Sequence, residues 1–120
     1  MLRKSILIVD DEELVRRTAR SVVCDLVDVC HEAENGQQAL EKVKQLKPDL
    51  VLLDISMPLM NGLRAAYEIR QVAPSIKIIF FTVDTSGDAH SAAHAPGANA
   101  FVAKSEGAKL IQTVKLLLLA

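Results

Sequence analysis

The chain has 120 residues, of which 50% are hydrophobic and 24% are charged. A compact domain takes roughly 100–150 residues, so we expect one domain over 1–120 with a substantial core, and this composition excludes a disordered chain. Fourteen Lys and Arg stand against 15 Asp and Glu, which gives a net charge of -1, and aromatic residues make up 3%. A nearly neutral chain with few aromatic rings is not expected to bind nucleic acid directly.

The sequence carries no sign of targeting to a membrane. No basic segment leads an apolar run at the start, and no run approaches roughly 18 apolar residues, so we predict neither a signal peptide nor a membrane span. Cys24 and Cys30 are too few and too close for a disulfide framework or a four-ligand zinc site. We therefore expect two reduced thiols in the core of a cytoplasmic protein.

Apolar runs and helical patterns alternate along the chain. Short apolar runs with β-branched residues predict buried strands, and apolar residues every three or four positions predict helices. In chain order the predicted elements are a strand over 5–9, a helix over 12–24, an edge strand over 27–32, a helix over 39–46, a strand over 50–53, a helix from 63 to near 74, a strand over 76–81, a weak helix over 86–95, a strand over 99–102 and a helix over 110–118. In the first helix, Arg16, Arg17 and Arg20 are predicted to face outward.

Five strand–helix repeats predict an α/β domain. The expected architecture is a flavodoxin-like doubly wound (βα)5 fold, with a five-stranded parallel sheet in the order 2-1-3-4-5. In such folds ligands bind at the carboxyl ends of the strands, so the residues that directly follow each strand are the ones to inspect.

Polar residues stand at four of these strand ends. Asp10 and Asp11 follow the first strand, Asp54 the third, Thr82 the fourth and Lys104 the fifth. Carboxylates this close together repel one another unless a cation joins them. Carboxylate oxygens without thiol or clustered imidazole ligands favour Mg²⁺.

Several other site types are excluded. The turn after the first strand reads DDEE, which would repel the phosphates of a nucleotide, and neither GxGxxG nor GxSxG occurs. A dinucleotide enzyme and a serine hydrolase of the GxSxG type are therefore rejected. His90 and His94 have a spacing that can bind zinc, but no third ligand is evident, and we interpret them as solvated helix residues.

Four segments together resemble the receiver domain of bacterial two-component response regulators: ILIVDDE, PDLVLLDISMPLMNG, IIFFT and GANAFVAKS. The resemblance covers essentially the whole chain. It implies that Asp54 is the phosphoacceptor, and that Asp10 and Asp11 hold Mg²⁺ together with Asp54 and the backbone carbonyl of Ser56.

The resemblance also implies a switch. Thr82 resembles the hydroxyl that hydrogen-bonds a phosphoryl oxygen, Lys104 the lysine that pairs with the phosphoryl group, and Phe101 the aromatic switch residue. The chain departs from the family where Ser105 replaces the usual Pro after the lysine, which puts the usual cis peptide there in doubt. Val83 replaces a small residue, and its bulk is expected to narrow access to the site.

We therefore expect a phosphoacceptor signalling domain rather than a turnover enzyme. Its donor would be a histidine kinase or a histidine phosphotransferase, and its output would be a transcriptional effector domain in a longer regulator. A stand-alone receiver acting by protein contact, an aspartyl-nucleophile phosphatase, and a receiver that works without phosphorylation are the alternatives. A homodimer through the fourth predicted helix, the fifth strand and the fifth helix is left open.

Overall fold

The fold is built on one five-stranded sheet. A computed structural model describes residues 4–57, 59–83 and 97–119. The strands are β1 Ser5–Val9, β2 Val29–Ala33, β3 Leu50–Leu53, β4 Lys77–Thr82 and β5 Ala100–Ala103. The helices are α1 Glu13–Val23, α2 Gly36–Leu46, α3 Gly62–Val72 and α4 Gly107–Leu119, and a 3-10 turn, Cys24–Leu26, follows α1. All pairs of neighbouring strands are parallel in the order β2-β1-β3-β4-β5, which confirms the predicted fold.

Side chains alternate along the strands, so the sheet separates two hydrophobic cores. Ile6 and Ile8 of β1 pack in the core that includes α1 and α4. Leu7 and Val9 point the other way, into the core that includes α2 and α3. Because helices cover both faces, the interior positions of the central strands are apolar on both sides, and this explains their continuous apolar runs. Their polar residues, Ser5, Lys77 and Thr82, stand at strand ends.

Two helices begin at asparagine caps in the loops that follow β2 and β3. The Oδ1 atom of Asn35 accepts a hydrogen bond from the N–H of Gln38 at 2.9 Å, and Oδ1 of Asn61 accepts one from the N–H of Arg64 at 2.9 Å. Such caps supply partners for N–H groups that the first helical turn leaves unpaired. The cap at Asn61 fixes the start of α3 close to the end of β3.

The prediction of two reduced cysteines is wrong. Cys24 and Cys30 form a disulfide, with their Cα atoms 5.9 Å apart. The physical reason is local: the 3-10 turn reverses the chain after α1, so the first residue of the turn meets the second residue of β2. That Cα separation lies in the range that a disulfide can bridge.

The outward orientation predicted for Arg16 is also wrong. Arg17 is exposed, but Arg16 is buried, with 9% of its surface accessible. It can be buried because Glu32 of β2 supplies a countercharge and the carbonyl of Asp10 supplies an acceptor. Helical spacing separates apolar from polar positions, but it does not reveal such partners on a neighbouring strand.

The remaining differences are small. Element boundaries differ from the predicted ones by a few residues, and β2 lies at the sheet edge as predicted. The predicted helix over 86–95, with His90 and His94, lies outside the described residues. Within the described ranges no peptide bond is cis, including the one after Lys104. None of the helices in these ranges is long and apolar enough to cross a membrane.

Candidate functional site

The parallel sheet brings the polar strand-end residues to one edge. Asp10 follows β1, Asp54 follows β3, Thr82 ends β4 and Lys104 follows β5. A main-chain hydrogen bond joins two of these strand ends: the N–H of Lys104 donates to the carbonyl of Thr82 at 2.9 Å. The four residues therefore surround one place on the molecule.

Three carboxylates form the centre of this site. Each of Asp10, Asp11 and Asp54 offers an oxygen, and these oxygens lie within 4.8 Å of one another. Asp10 and Asp54 are buried, whereas Asp11 is exposed. A compact set of carboxylate oxygens with one side open to solvent suits Mg²⁺, which keeps several water ligands. The donor set thus fits the predicted metal.

Lys104 lies against the same carboxylates. Its Nζ atom is 2.6 Å from Oδ2 of Asp10 and 3.5 Å from Oδ1 of Asp54. Burial by itself lowers the pKa of Lys104, but the hydrogen bond to Asp10 and the charges of Asp54 and Asp10 outweigh it and raise the pKa above its ordinary value. The ammonium form is therefore the one that occupies this site.

The carboxyl group of Asp54 has a raised pKa. Burial, and then the negative charge of Asp10, raise the pKa of Asp54 from 3.8 to about 6, although Lys104 and the N–H of Ile55 act in the opposite direction. A carboxylate nucleophile must be ionised, and an added divalent cation would favour that form. A strongly perturbed pKa in a cluster of charges is typical of a functional residue.

The two predicted switch residues, Thr82 and Phe101, lie on the neighbouring strands β4 and β5. Thr82 is almost fully buried, and Phe101 is half-buried on β5, packed against the core that includes α2 and α3. A cleft of about 380 Å³ at this end is lined by Thr82, Val83, Ala103, Lys104, Ser105 and Glu106. The side chain of Val83 is 76% exposed, so it stands at the wall of this cleft and not in the core.

Ser56 lies two residues beyond Asp54, in the loop that leads to α3, and is exposed. The role of the Ser56 carbonyl as a metal ligand stays a prediction.

Gly62, the last residue of the PDLVLLDISMPLMNG segment, belongs to this site, although the sequence did not single it out. A Cβ atom built on Gly62 would lie 1.9 Å from the carbonyl oxygen of Asp54. The N–H of Gly62 also donates to the carbonyl of Ile55 at 2.7 Å. The Asn-Gly pair is the signal that could have found it, because it places a residue without a side chain at the start of α3.

Comparisons with known proteins agree with this geometry. A family model described as the response regulator receiver domain matches residues 6–115. The chemotaxis protein CheY of Thermotoga maritima is 46% identical over 77 residues, which cover 63% of this chain and 64% of that protein. The transcriptional regulatory protein LnrK of Bacillus subtilis is 36% identical over 108 residues, which cover 88% of this chain and 49% of that protein.

A solved structure extends the similarity over nearly the whole chain. The two-component response regulator of the LuxR family from Aurantimonas sp. is 27% identical, with a TM-score of 0.89 over 98% of this chain and 86% of that one. The chain spans 64% and 49% of the two curated relatives. The similarity thus concerns one domain of 110 or so residues, matched over 6–115.

Proposed function

Because the chain belongs to the response regulator receiver domain family, we propose that it accepts a phosphoryl group on the carboxylate of Asp54. One observation carries this proposal. Asp54 is buried beside Lys104, and one of its oxygens lies within 4.8 Å of an oxygen of Asp10 and an oxygen of Asp11. Phosphoryl transfer needs an in-line nucleophile and positive charge around the transferred oxygens, and this cluster can provide both.

The covalent step is a displacement at phosphorus. A carboxylate oxygen of Asp54 attacks the phosphorus of a phosphohistidine on a histidine kinase or phosphotransferase. The P–N bond breaks as the P–O bond forms, the histidine leaves with the bond's electron pair and takes up a proton, and Asp54 becomes an acyl phosphate. Mg²⁺ held by Asp10, Asp11, Asp54 and the backbone carbonyl of Ser56 would neutralise charge on the phosphoryl oxygens.

Lys104 and Thr82 act on the product. The ammonium of Lys104, 3.5 Å from Oδ1 of Asp54, is close enough to pair with a phosphoryl oxygen attached there. The hydroxyl of Thr82 donates a second, directed hydrogen bond. A phosphoryl group carries about −1.5 to −2 of charge, so these two donors are drawn toward it. We propose that Phe101, half-buried on the adjacent strand, repacks inward with Thr82.

We propose that the output surface of the switch is formed by the predicted helix over 86–95 together with β5 and α4. We propose that this surface controls a transcriptional effector domain in a longer protein, as the name of the Bacillus subtilis relative suggests for that protein. A stand-alone receiver that acts by protein contact is the alternative. We propose that the protein works in the cytoplasm. A homodimer through the same surface is a further proposal.

The test is phosphorylation by a small donor. Wild-type protein and Asp54→Asn are incubated with acetyl phosphate, with and without Mg²⁺, and analysed by intact mass. We expect the wild type to gain one phosphoryl group only with Mg²⁺, and the variant to gain none. An unmodified wild type with acetyl phosphate and with a panel of histidine kinases would contradict the proposal.

The same samples distinguish a phosphatase. An aspartyl-nucleophile phosphatase needs an acid two residues beyond its nucleophile, and Ser56 stands at that position. We therefore expect no sustained hydrolysis of a phosphate monoester. Steady turnover would favour the phosphatase over a receiver.

A further inference from the structure

The buried guanidinium of Arg16 joins the site to the sheet edge. Only 11% of its side chain is exposed, and burial of a charge is costly unless the charge is paired and hydrogen-bonded. Its Nη1 donates to the main-chain carbonyl of Asp10 at 2.7 Å, and its Nε donates to Oε1 of Glu32 at 3.1 Å. One rigid, planar group thus connects α1, the end of β1 and β2.

Asp10 is held at each of its polar groups. Its N–H donates to the carbonyl of Ala33 at 3.2 Å, its Oδ1 accepts from the N–H of Glu12 at 2.9 Å, and Nζ of Lys104 lies 2.6 Å from its Oδ2. Its carbonyl is held by Arg16. That carbonyl belongs to the peptide plane that leads into Asp11, so fixing it also fixes the position of the Asp11 Cα atom, from which that side chain extends.

Glu32 sets the position of Arg16. Its Oε1 accepts from Arg16, and its Oε2 accepts from Nη1 of Arg20 at 3.2 Å. The two arginines differ in what lies beyond them. Arg16 reaches Asp10, whereas Arg20 is 43% exposed and its second contact is the carbonyl of Cys30 at 3.5 Å. Arg20 is therefore a matched control that shares the carboxylate but not the site.

We propose that Arg16 is a positioning residue for the cation site. By fixing the peptide between Asp10 and Asp11, it holds their carboxylates in the arrangement that converges on Asp54. This inference rests on the proposed function in one respect, which is that these three carboxylates bind a divalent cation. The competing explanation is that Arg16 only fastens α1 to β2 and leaves the carboxylates where they are.

The first measurement is Mg²⁺ affinity, determined by calorimetry on the full chain for the wild type, Arg16→Lys, Arg16→Gln and Arg20→Gln. Loss of a group that orients a metal ligand typically weakens metal binding about 10–100-fold, so we expect Arg16→Gln to lose at least about tenfold. Lysine has no planar fork and cannot serve both acceptors in the same way, so Arg16→Lys should also lose affinity. Arg20→Gln should bind Mg²⁺ as the wild type does.

The second measurement needs no metal. The N–H of Glu12 donates to Oδ1 of Asp10, so its exchange with solvent reports on the position of that residue. We expect this amide to exchange faster in Arg16→Gln than in Arg20→Gln at equal global stability. If Arg16→Gln does not fold, Arg16→Lys decides both measurements.

The two proposals fail in different ways. Wild-type Mg²⁺ affinity and unchanged Glu12 exchange in both Arg16 variants would overturn the positioning role, even if the wild type is phosphorylated normally. Mg²⁺ binding that depends on Arg16, in a chain that accepts no phosphoryl group from any donor, would overturn the proposed function alone. A wild type that binds no Mg²⁺ would overturn the positioning role together with the metal part of the proposed function.

Discussion

The main chain of Asp54 leaves no room for a side chain at Gly62. Real Cβ atoms do not approach other heavy atoms closer than about 3.0 Å, yet a Cβ on Gly62 would lie 1.9 Å from the Asp54 carbonyl oxygen. That oxygen is backbone and cannot rotate away as a flexible side chain would. An alanine at this position must therefore displace either the main chain at Asp54, directly after β3, or the start of α3.

This crowding predicts a strong effect of Gly62→Ala on phosphorylation. A misplacement of about 1 Å at a reacting group can cost about 100-fold in rate, so we expect phosphoryl uptake from acetyl phosphate to fall by roughly that factor. Gly107→Ala is the matched control, because Gly107 also begins a helix but a Cβ there meets nothing within 4 Å. Intact mass over time gives both rates. Equal rates for the two variants would show that the contact at Gly62 has no consequence for the site.

At the scale of elements, the disulfide ties the end of α1 to the edge strand β2. Cys24 and Cys30 are six positions apart, so the bond closes a short loop. In the chain-entropy account, closing so short a loop raises the free energy of the unfolded chain by about 2 kcal/mol. In the folded chain the disulfide also fastens β2, an edge strand that pairs only with β1.

We therefore expect reduction to lower the free energy of unfolding by about 2 kcal/mol. Urea unfolding with and without a thiol reductant measures the difference, and amide exchange should rise first in β2. The double variant Cys24→Ser and Cys30→Ser is the control, since its stability should not respond to the reductant. Identical unfolding of the oxidised and reduced wild type would contradict this prediction.

At the scale of the whole molecule, the sequence predicts the architecture and the meeting of the strand ends. The alternation of Ile6 and Ile8 with Leu7 and Val9 is visible in the sequence, and helices on both faces follow from it. Once the strands are parallel, topology alone brings Asp10, Asp54 and Lys104 to one edge. Their predicted positions required only the order of the elements.

What the sequence did not predict depends on contacts between elements. Arg16 has a polar helical position, and only the neighbouring strand, with Glu32, makes it a buried residue. The pairing of Cys24 with Cys30 depends on a turn whose geometry the apolar pattern does not describe. In each case a single side chain meets a partner whose location follows from the assembled fold and not from spacing.

The global stability of the fold should depend on pH through Asp54. Its pKa of about 6 in the folded chain lies above the ordinary value of 3.8, so the folded state holds this proton more tightly than the unfolded state does. The stability that this group contributes is then full below about pH 4 and is lost as pH rises to about 6. A shift from 3.8 to about 6 corresponds to about 3 kcal/mol of free energy of unfolding.

Asp54→Asn isolates this contribution, because asparagine keeps the shape of the side chain and carries no charge. Without divalent cations, we expect the variant to exceed the wild type by up to about 3 kcal/mol above pH 6, and the two to converge near pH 4. Urea unfolding across this range tests it, with the exposed Asp25→Asn as control. Mg²⁺ should stabilise the wild type more than Asp54→Asn, because it compensates the buried charge that the variant lacks. A gap that does not change with pH would mean that the carboxyl group of Asp54 is ionised at no cost to the fold, and would contradict this prediction.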